Sequence, residues 1–567
     1  MFLIKEKRKH GTHLCIVQSF RDPVTKVSKT RRIMNLGYVE ELQKQHSDPV
    51  SHFQKVAKKM SEEYKQKSKP SLITIDPTKP LAPGDNFSKN FGYAVFSLLY
   101  HELKLDAFFK RIQKHLNIDY SLNSVIKLLV YGRILFPGSE KQMFEMKEQF
   151  FDKMNFSLND VYHSFTCIPG YKFQIQSWIN KHICENYVRE NDKMYYYVTN
   201  HYFEIDEQSR SAKEDVSNKY RLDPIVQMGL FTYSNGLPAS YELLPSSKGD
   251  ALTLLSPALK KARRDFVGNK VIIVTDNGSN RADNLPYLSL GGNGYIVTQN
   301  IRSADAEIKK FALNHNDYTR IDDDCKVKSR IYTRNICIKT SSGAKKNISF
   351  QEKQIVLYNE KWTRCARAER EDMLLKAKSL IASPNKYNKA TAYGAGKYVK
   401  NIKYDPKTGE ILQDKELLYL DEERLRDEEK YDGYYLFLTS QIDESDGFII
   451  DTFNNLWEIE KSFKFVNSSF HSKPSSLSRG NHIHAHFLTC FIAFTLTCML
   501  QMKSEKKYPL EEILKSLQKC NYIHIDEKHY MQSYYDSVLD FVGSTMGIDF
   551  SKRYQSLQDI NANFNSK

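Results

Sequence analysis

Three β-type runs, a helical stretch and a short apolar strand that stops at an aspartate follow one another in this chain, and that order constrains its fold more than any other feature. Lys193–Ile205 (KMYYYVTNHYFEI) is aromatic and rich in β-formers, and Ile225–Tyr233 (IVQMGLFTY) is a second such run. Ser234-Asn235-Gly236 is a hairpin turn that returns the chain through Leu237–Leu244 (LPASYELL). Asp250–Arg264 has helical spacing, and Lys270–Thr275 (KVIIVT) is a short apolar strand ending at Asp276-Asn277-Gly278. Ligands of such α/β sheets gather beyond the carboxyl ends of strands, which is where Asp276 falls. A strand-end Asp is also a common turn former or helix cap, and both readings stay open locally.

This is the order of a ribonuclease H-like core. A second carboxylate stands out downstream, in Thr452–Ser469 (TFNNLWEIEKSFKFVNSS). Phe453, Glu460 and Asn467 are spaced seven apart and share a helical face, with Leu456, Trp457 and Phe463 beside them. Glu460 in that stripe either reaches water or a lysine at a boundary, or points at a metal ion. Trp457 reads as core, or as a base-stacking side chain.

The expected fold class is α/β: a ribonuclease H-like mixed sheet interrupted by a mainly β insertion, preceded by a basic hairpin and a helical region. Residues 1–90 form the basic hairpin module and linker, with strand-like runs at 13–18 and 28–37, helical spacing past Pro49, and four prolines between Pro70 and Pro83. Residues 91–190 form a helical, candidate DNA-binding region, in which Leu122, Val125, Ile126, Leu129 and Val130 keep helical spacing up to Pro137-Gly138. Residues 191–300 are the first part of the core and 301–430 the insertion. Residues 431–510 are the second part of the core with the Glu460 helix, and 511–567 a C-terminal helical region.

A chain of 567 residues needs more than one core. Its net charge of +15 points to a polyanionic partner, and residues 1–90 supply +9 of it, with 18 Lys and Arg against 9 Asp and Glu. The nine cysteines form no Cys-x-x-Cys pair, which fits free thiols and argues against a structural zinc site. MFLIKEKRKHG contains no signal-peptide core. Phe487–Met502 is broken by threonines and shorter than the roughly 20 residues that span a bilayer, so it reads as a buried helix, not a membrane segment. His482 and His486 have the i, i+4 spacing of a metal pair, but no Cys or Glu flanks them at zinc spacing.

Several blocks, in this order, resemble insertion-sequence transposases of the DDE class, the family-four-like branch with a β insertion before its third acid. They are VTNHYFEID (198–206), NGLPASYELLP (235–245), VIIVTDNG (271–278), GYIVTQNIR (294–302), YDGYYLFLTS (431–440), LWEIEKSF (456–463) and HFLTCFIAFTL (486–496). The resemblance implies three carboxylates holding a pair of Mg²⁺ ions, for which Mn²⁺ can substitute, and DNA cleavage and strand transfer by in-line phosphoryl displacement. It places the second acid and metal ligand at Asp276 and the third at Glu460. It puts DNA contacts at Trp457, Lys461, Lys464 and Asn467. It further implies double-stranded DNA partners (terminal inverted repeats and target), a homodimer in a synaptic complex, and a cytoplasmic, nucleoid-associated location.

The first acid is missing. Its position, just before Val198-Thr199-Asn200, is Tyr197, and Leu456 and Asn467 stand where the family's signature has Arg and Lys. Glu204 and Asp206 lie seven and nine residues further on, out of phase on a strand and more than roughly 20 Å along it. The sequence therefore predicts a transposase by descent with impaired catalysis, or a transposase-fold protein that binds DNA without cutting it.

Overall fold

A continuous apolar run, Leu14–Val17, flanked by basic strands anchors the first elements of the chain. Strands β1 (Phe2–Arg8), β2 (Gly11–Arg21) and β3 (Ser28–Tyr38) form an antiparallel sheet in the order β1-β2-β3. Leu14, Cys15 and Ile16 of the central strand are fully buried, and the helix Pro49–Lys67 packs against β1. The hairpin and the helix are those the sequence predicts. β1 is additional, because FLIKEKR alternates weakly. This computed structural model describes residues 1–8, 11–21, 28–43, 46, 48–67, 88–187, 193–201, 226–245, 270–275, 293–339, 345–387, 392, 394–404, 411, 417–467, 479–526 and 529–564. The chain divides into two units, Met1–Leu81 and Ala82–Lys567.

The second unit is mixed α/β. It opens with strand β4 (Ser88–Asn90) and helices at Ala94–Glu102, Leu105–Gln113, Leu122–Leu135, Glu140–Glu145, Leu158–Cys167 and Lys172–Asn186. Ser121 caps Leu122–Leu135 by accepting from the Ser124 N–H at 3.2 Å, and Leu122, Val125, Leu128 and Leu129 of that helix are fully buried. It packs against the long helix Arg479–Lys503. By length and composition Asn481–Lys503 could cross a bilayer, yet 83% of its apolar stretch is buried against the rest of the protein. It is a core helix.

The central sheet is assembled from β5 (Lys193–His201), β6 (Val226–Tyr233), β7 (Pro238–Pro245), β8 (Lys270–Thr275), β9 (Gly294–Gln299), β10 (Thr319–Arg320), β11 (Cys325–Lys339) and β12 (Lys345–Asn359). Two short strands, β13 (Val399–Lys400) and β14 (Tyr419–Leu420), pair with each other outside it, and β15 (Tyr434–Thr439) returns to it. The strand order is β10-β11-β12-β15-β9-β8-β5-β6-β7. β5, β6 and β7 are antiparallel neighbours, while β8 runs parallel to both β5 and β9. Val271, Ile272, Ile273 and Val274 of β8 are buried, as a strand covered on both faces requires. The ring of Tyr196 lies over Gly229, where a Cβ would fall 1.8 Å from the phenol oxygen, so this cross-strand contact excludes any larger residue.

Residues 301–430 extend this same sheet as well as building their own core. β12 pairs with β15, and β15 with β9. A separate cluster of Ala377, Leu380, Ala392, Ala395, Tyr398 and Val399 packs beside the helix Glu360–Ala382. In the C-terminal region, strands β16 (Asn521–His524), β17 (His529–Gln532) and β18 (Tyr554–Ser556) stand among the helices and join β4 in a sheet ordered β18-β17-β16-β4.

One buried polar cluster locks the long helix in place. Arg133 and Glu140 are almost wholly buried, with Arg133 Nη2 donating to Glu140 Oε1 at 3.0 Å and Arg133 Nε to Thr489 Oγ1 at 2.8 Å. His486 Nδ1 sits 3.5 Å from the same Glu140 oxygen. Burial, reinforced by the Arg133 charge, pushes the His486 imidazole down from 6.5 to about 4. Between those values the unfolded chain holds a proton that the folded chain does not, so stability is lost as pH falls through this window. Urea unfolding between pH 7 and 4 is expected to show stability declining below about pH 6.5, by at most about 1.4 kcal/mol per pH unit from this group. His486→Gln should remove that one-proton slope, and an unchanged slope would contradict the assignment.

Candidate active site

The helix Asp446–Asn467 carries Glu460, and its register on the sheet is set at its first turn. Ser445 accepts from the Phe448 N–H at 3.2 Å, and Asp446 places an acid near the helix N-terminus, where the backbone dipole favours it. Two lysines from strands far apart in the sheet reach this turn. Lys193 of β5 pairs with Glu444, 251 residues away in sequence. Lys353 of β12 pairs with Asp446 at 2.7 Å and donates to the Glu444 carbonyl oxygen at 2.7 Å. Ile449 and Phe453 are buried on the sheet side, with the Phe453 ring 5.4 Å from Phe437 of β15.

Tyr197 ties this helix to the sheet centre. It pairs with Leu230 of β6 and, in parallel register, with Val274 of β8. Its side chain is 2% exposed, and its hydroxyl donates to the Thr452 carbonyl oxygen at a long 3.5 Å. Burial, with Tyr195 as neighbour, holds the phenol far above its ordinary value, so it stays neutral. A cavity of about 1060 Å³ adjoins it, bounded in part by Lys193, Tyr195, Tyr197, Glu444, Thr452 and Asn455.

The structure therefore brings together Tyr197, the strand that leads to Asp276, and the helix that carries Glu460. Asp276 itself lies outside the described residues. Glu460 lies eight residues beyond Thr452, about 12 Å further along the helix axis. Trp457, Lys461, Lys464 and Asn467 occupy the same helix, and their side chains, like that of Glu460, lie outside the described residues. Among the described residues no group of three His, Cys, Asp or Glu side chains could hold a metal ion. The histidines at 482 and 486 part company: His482 stacks on Tyr162 with centroids 6.3 Å apart, while His486 faces Glu140.

At the position described, the residue does not fit Mg²⁺. Such ions take anionic or carbonyl oxygens. Tyr197 offers a neutral phenol in an apolar setting, and its proton is directed to a backbone carbonyl. The lysine clamp had no signal in the sequence, since Lys193 and Lys353 look like ordinary strand residues until the topology brings their acidic partners to them.

Residues 3–71 match the family model for the N-terminal domain of IS1634 family transposases, which supports a transposase. No curated protein matches the chain. Among solved structures, one that aligns is the cryo-EM structure of a piggyBac transposase synaptic complex with hairpin DNA. It has a TM-score of 0.31 and 10% identity, with 88% of each chain covered, and a likeness that low carries no weight for fold or function.

Lys353→Met is expected to lower stability by about 2 kcal/mol, because it leaves Asp446 and the Glu444 carbonyl without their cation. Tyr197→Phe, which deletes one long hydrogen bond, should cost no more than about 1 kcal/mol. Equal effects in urea unfolding would mean that the clamp does not hold the helix.

Proposed function

We propose that this protein is a DDE-class transposase by descent that binds DNA, including the ends of its own element, and is impaired in cleaving and joining it. The single observation carrying the impairment is the buried, neutral Tyr197 where the first carboxylate belongs. Supporting the descent are the match of residues 3–71 to a transposase N-terminal domain and the sequence blocks running through the core. A ribonuclease H-like core is supported by the run β7-β6-β5-β8-β9, three antiparallel strands followed by two that continue parallel to the first. The net charge of +15 supports a nucleic-acid partner, and assembly of two copies on paired ends follows from the same descent.

Without an anionic oxygen at position 197, one corner of the three-carboxylate arrangement is absent. Leu456 further removes a cation that could hold phosphate near the bond to be cut. What remains is recognition without efficient chemistry.

The test compares the purified chain with Tyr197→Asp on duplexes carrying the element's ends, with Mg²⁺ or Mn²⁺ present. Both proteins should bind the ends. The unaltered chain should nick them at a rate indistinguishable from background, and the variant should gain measurable nicking. Nicking by the unaltered chain that disappears in Glu460→Gln would overturn the reading of impairment.

A further inference from the structure

Strands β11 and β12 outrun the sheet that holds them. They pair without a register shift from Cys325↔Asn359 to Lys339↔Lys345. Their sheet neighbours reach only the base: β10 touches β11 at Lys326 and Val327, and β15 borders β12 from Lys353 to Tyr358. Among the described residues, no other strand borders residues 331–339 or 345–352. Side-chain support continues to the buried Glu352, held by the Tyr295 hydroxyl at 3.0 Å, and to Phe350, which packs on the main core. At about 3.4 Å per residue, the five positions 345–349 carry this two-stranded ribbon about 17 Å further.

The two faces of the ribbon differ in chemistry. On one, Ile348 and Phe350 accompany charged and aromatic residues that are paired with neighbouring acids, and Phe350 packs on the main core. Arg330 pairs with Glu307 at 3.3 Å, Tyr332 donates to Glu307 at 3.1 Å, and Arg334 pairs with the buried Glu352 at 2.9 Å. On the other, Thr333 stands opposite Gln351 and Asn335 opposite Ser349, whose hydroxyl donates to the Asn335 amide oxygen and leaves the Asn335 NH₂ as the outward donor; Asn347 follows, and all five are exposed. Lys339, Lys345 and Lys346 occupy the strand ends, and residues 336–351 contain no acid.

Unpaired ribbons are ordinarily protected by charges along their length. This exposed face instead carries uncharged amides and hydroxyls, and the sequence places three lysines at the strand ends beyond them. A protein-binding face would present apolar and aromatic anchors, and Ile331 is the one large apolar side chain exposed here among the described residues of the ribbon. The major groove of duplex DNA admits a two-stranded β-ribbon, and Asn, Gln, Ser and Thr are side chains that hydrogen-bond base edges there. Lysines at the tip suit the phosphates beyond.

We propose that the β11–β12 ribbon enters the major groove of double-stranded DNA and selects sequence through Thr333, Asn335 and Gln351. The inference rests on the DNA-binding reading above and adds the element that discriminates between sequences. Two triple variants of the full chain test it, Thr333→Ala/Asn335→Ala/Gln351→Ala and Lys339→Ala/Lys345→Ala/Lys346→Ala. Each is compared with the unaltered chain by selection from a random duplex pool and by anisotropy titration across 50–200 mM salt. The face variant should lose at least about tenfold in preference for the selected duplex over random duplex while keeping its salt dependence. The tip variant should weaken on all duplexes alike, with a log–log salt slope shallower by up to about 3.

A face variant that selects the same sequence with the same preference overturns the proposal while leaving DNA binding intact. So does a variant that changes only the oligomeric state, which would assign the ribbon to a second copy of the chain. Failure of the unaltered chain to bind any duplex at 50 mM salt would overturn both this proposal and the DNA-binding reading.

Discussion

The region around Tyr197 depends on where one helix sits. Asp446–Asn467 is held at its start by Lys193 and Lys353, which arrive from β5 and β12 on opposite sides of β8, β9 and β15. Lys353 is 12% exposed and Lys193 34%, so the Lys353 pair is the less screened of the two, and such a pair is strong only if its partners are already in place. Here the sheet supplies that placement. A shift of one residue in either strand would turn its lysine to the opposite face and release the helix.

With the helix fixed, Tyr197 becomes the residue that decides the chemistry. It occupies the middle of the sheet, between β6 and β8, and meets the helix at Thr452. A carboxylate buried here as the Tyr197 side chain is would carry a negative charge that needs a compensating cation or hydrogen-bond donors. A tyrosine needs no such partner. Its ring is buried at the edge of the cavity, and its neutral hydroxyl reaches the Thr452 carbonyl oxygen at 3.5 Å. On the proposed function, a tyrosine here would separate the stability of the fold from the demands of catalysis.

Much of the second unit was legible in the sequence because its signals are local. The three β-runs, the Ser234-Asn235-Gly236 turn and the apolar KVIIVT strand each declare their structure within a few residues, and β5 to β8 follow them. The helix around Glu460 was legible from its seven-residue spacing. What could not be read were relations between distant segments. β10, β11 and β12 look like a free-standing insertion in sequence, yet β15, some 75 residues after β12, stitches them into the central sheet. β4 finds its partner in β16 near the other end of the chain. The histidines of NHIHAHF resembled a metal pair by spacing, but the burial of Arg133 and Glu140 beneath His486 gave that ring a different task. Tyr197 was recognisable as a missing acid only by resemblance. Its burial and its bond to Thr452 are properties of the fold.

The central claim is that position 197 denies the site one of its anionic oxygens, so that no tight metal pair forms there. Mn²⁺ titration of the purified chain, followed by electron paramagnetic resonance in the presence and absence of duplex DNA, tests this most directly. The account predicts only weak, non-stoichiometric Mn²⁺ association that Glu460→Gln leaves unchanged. Two Mn²⁺ ions bound per chain at micromolar concentration, and lost in Glu460→Gln, would contradict it.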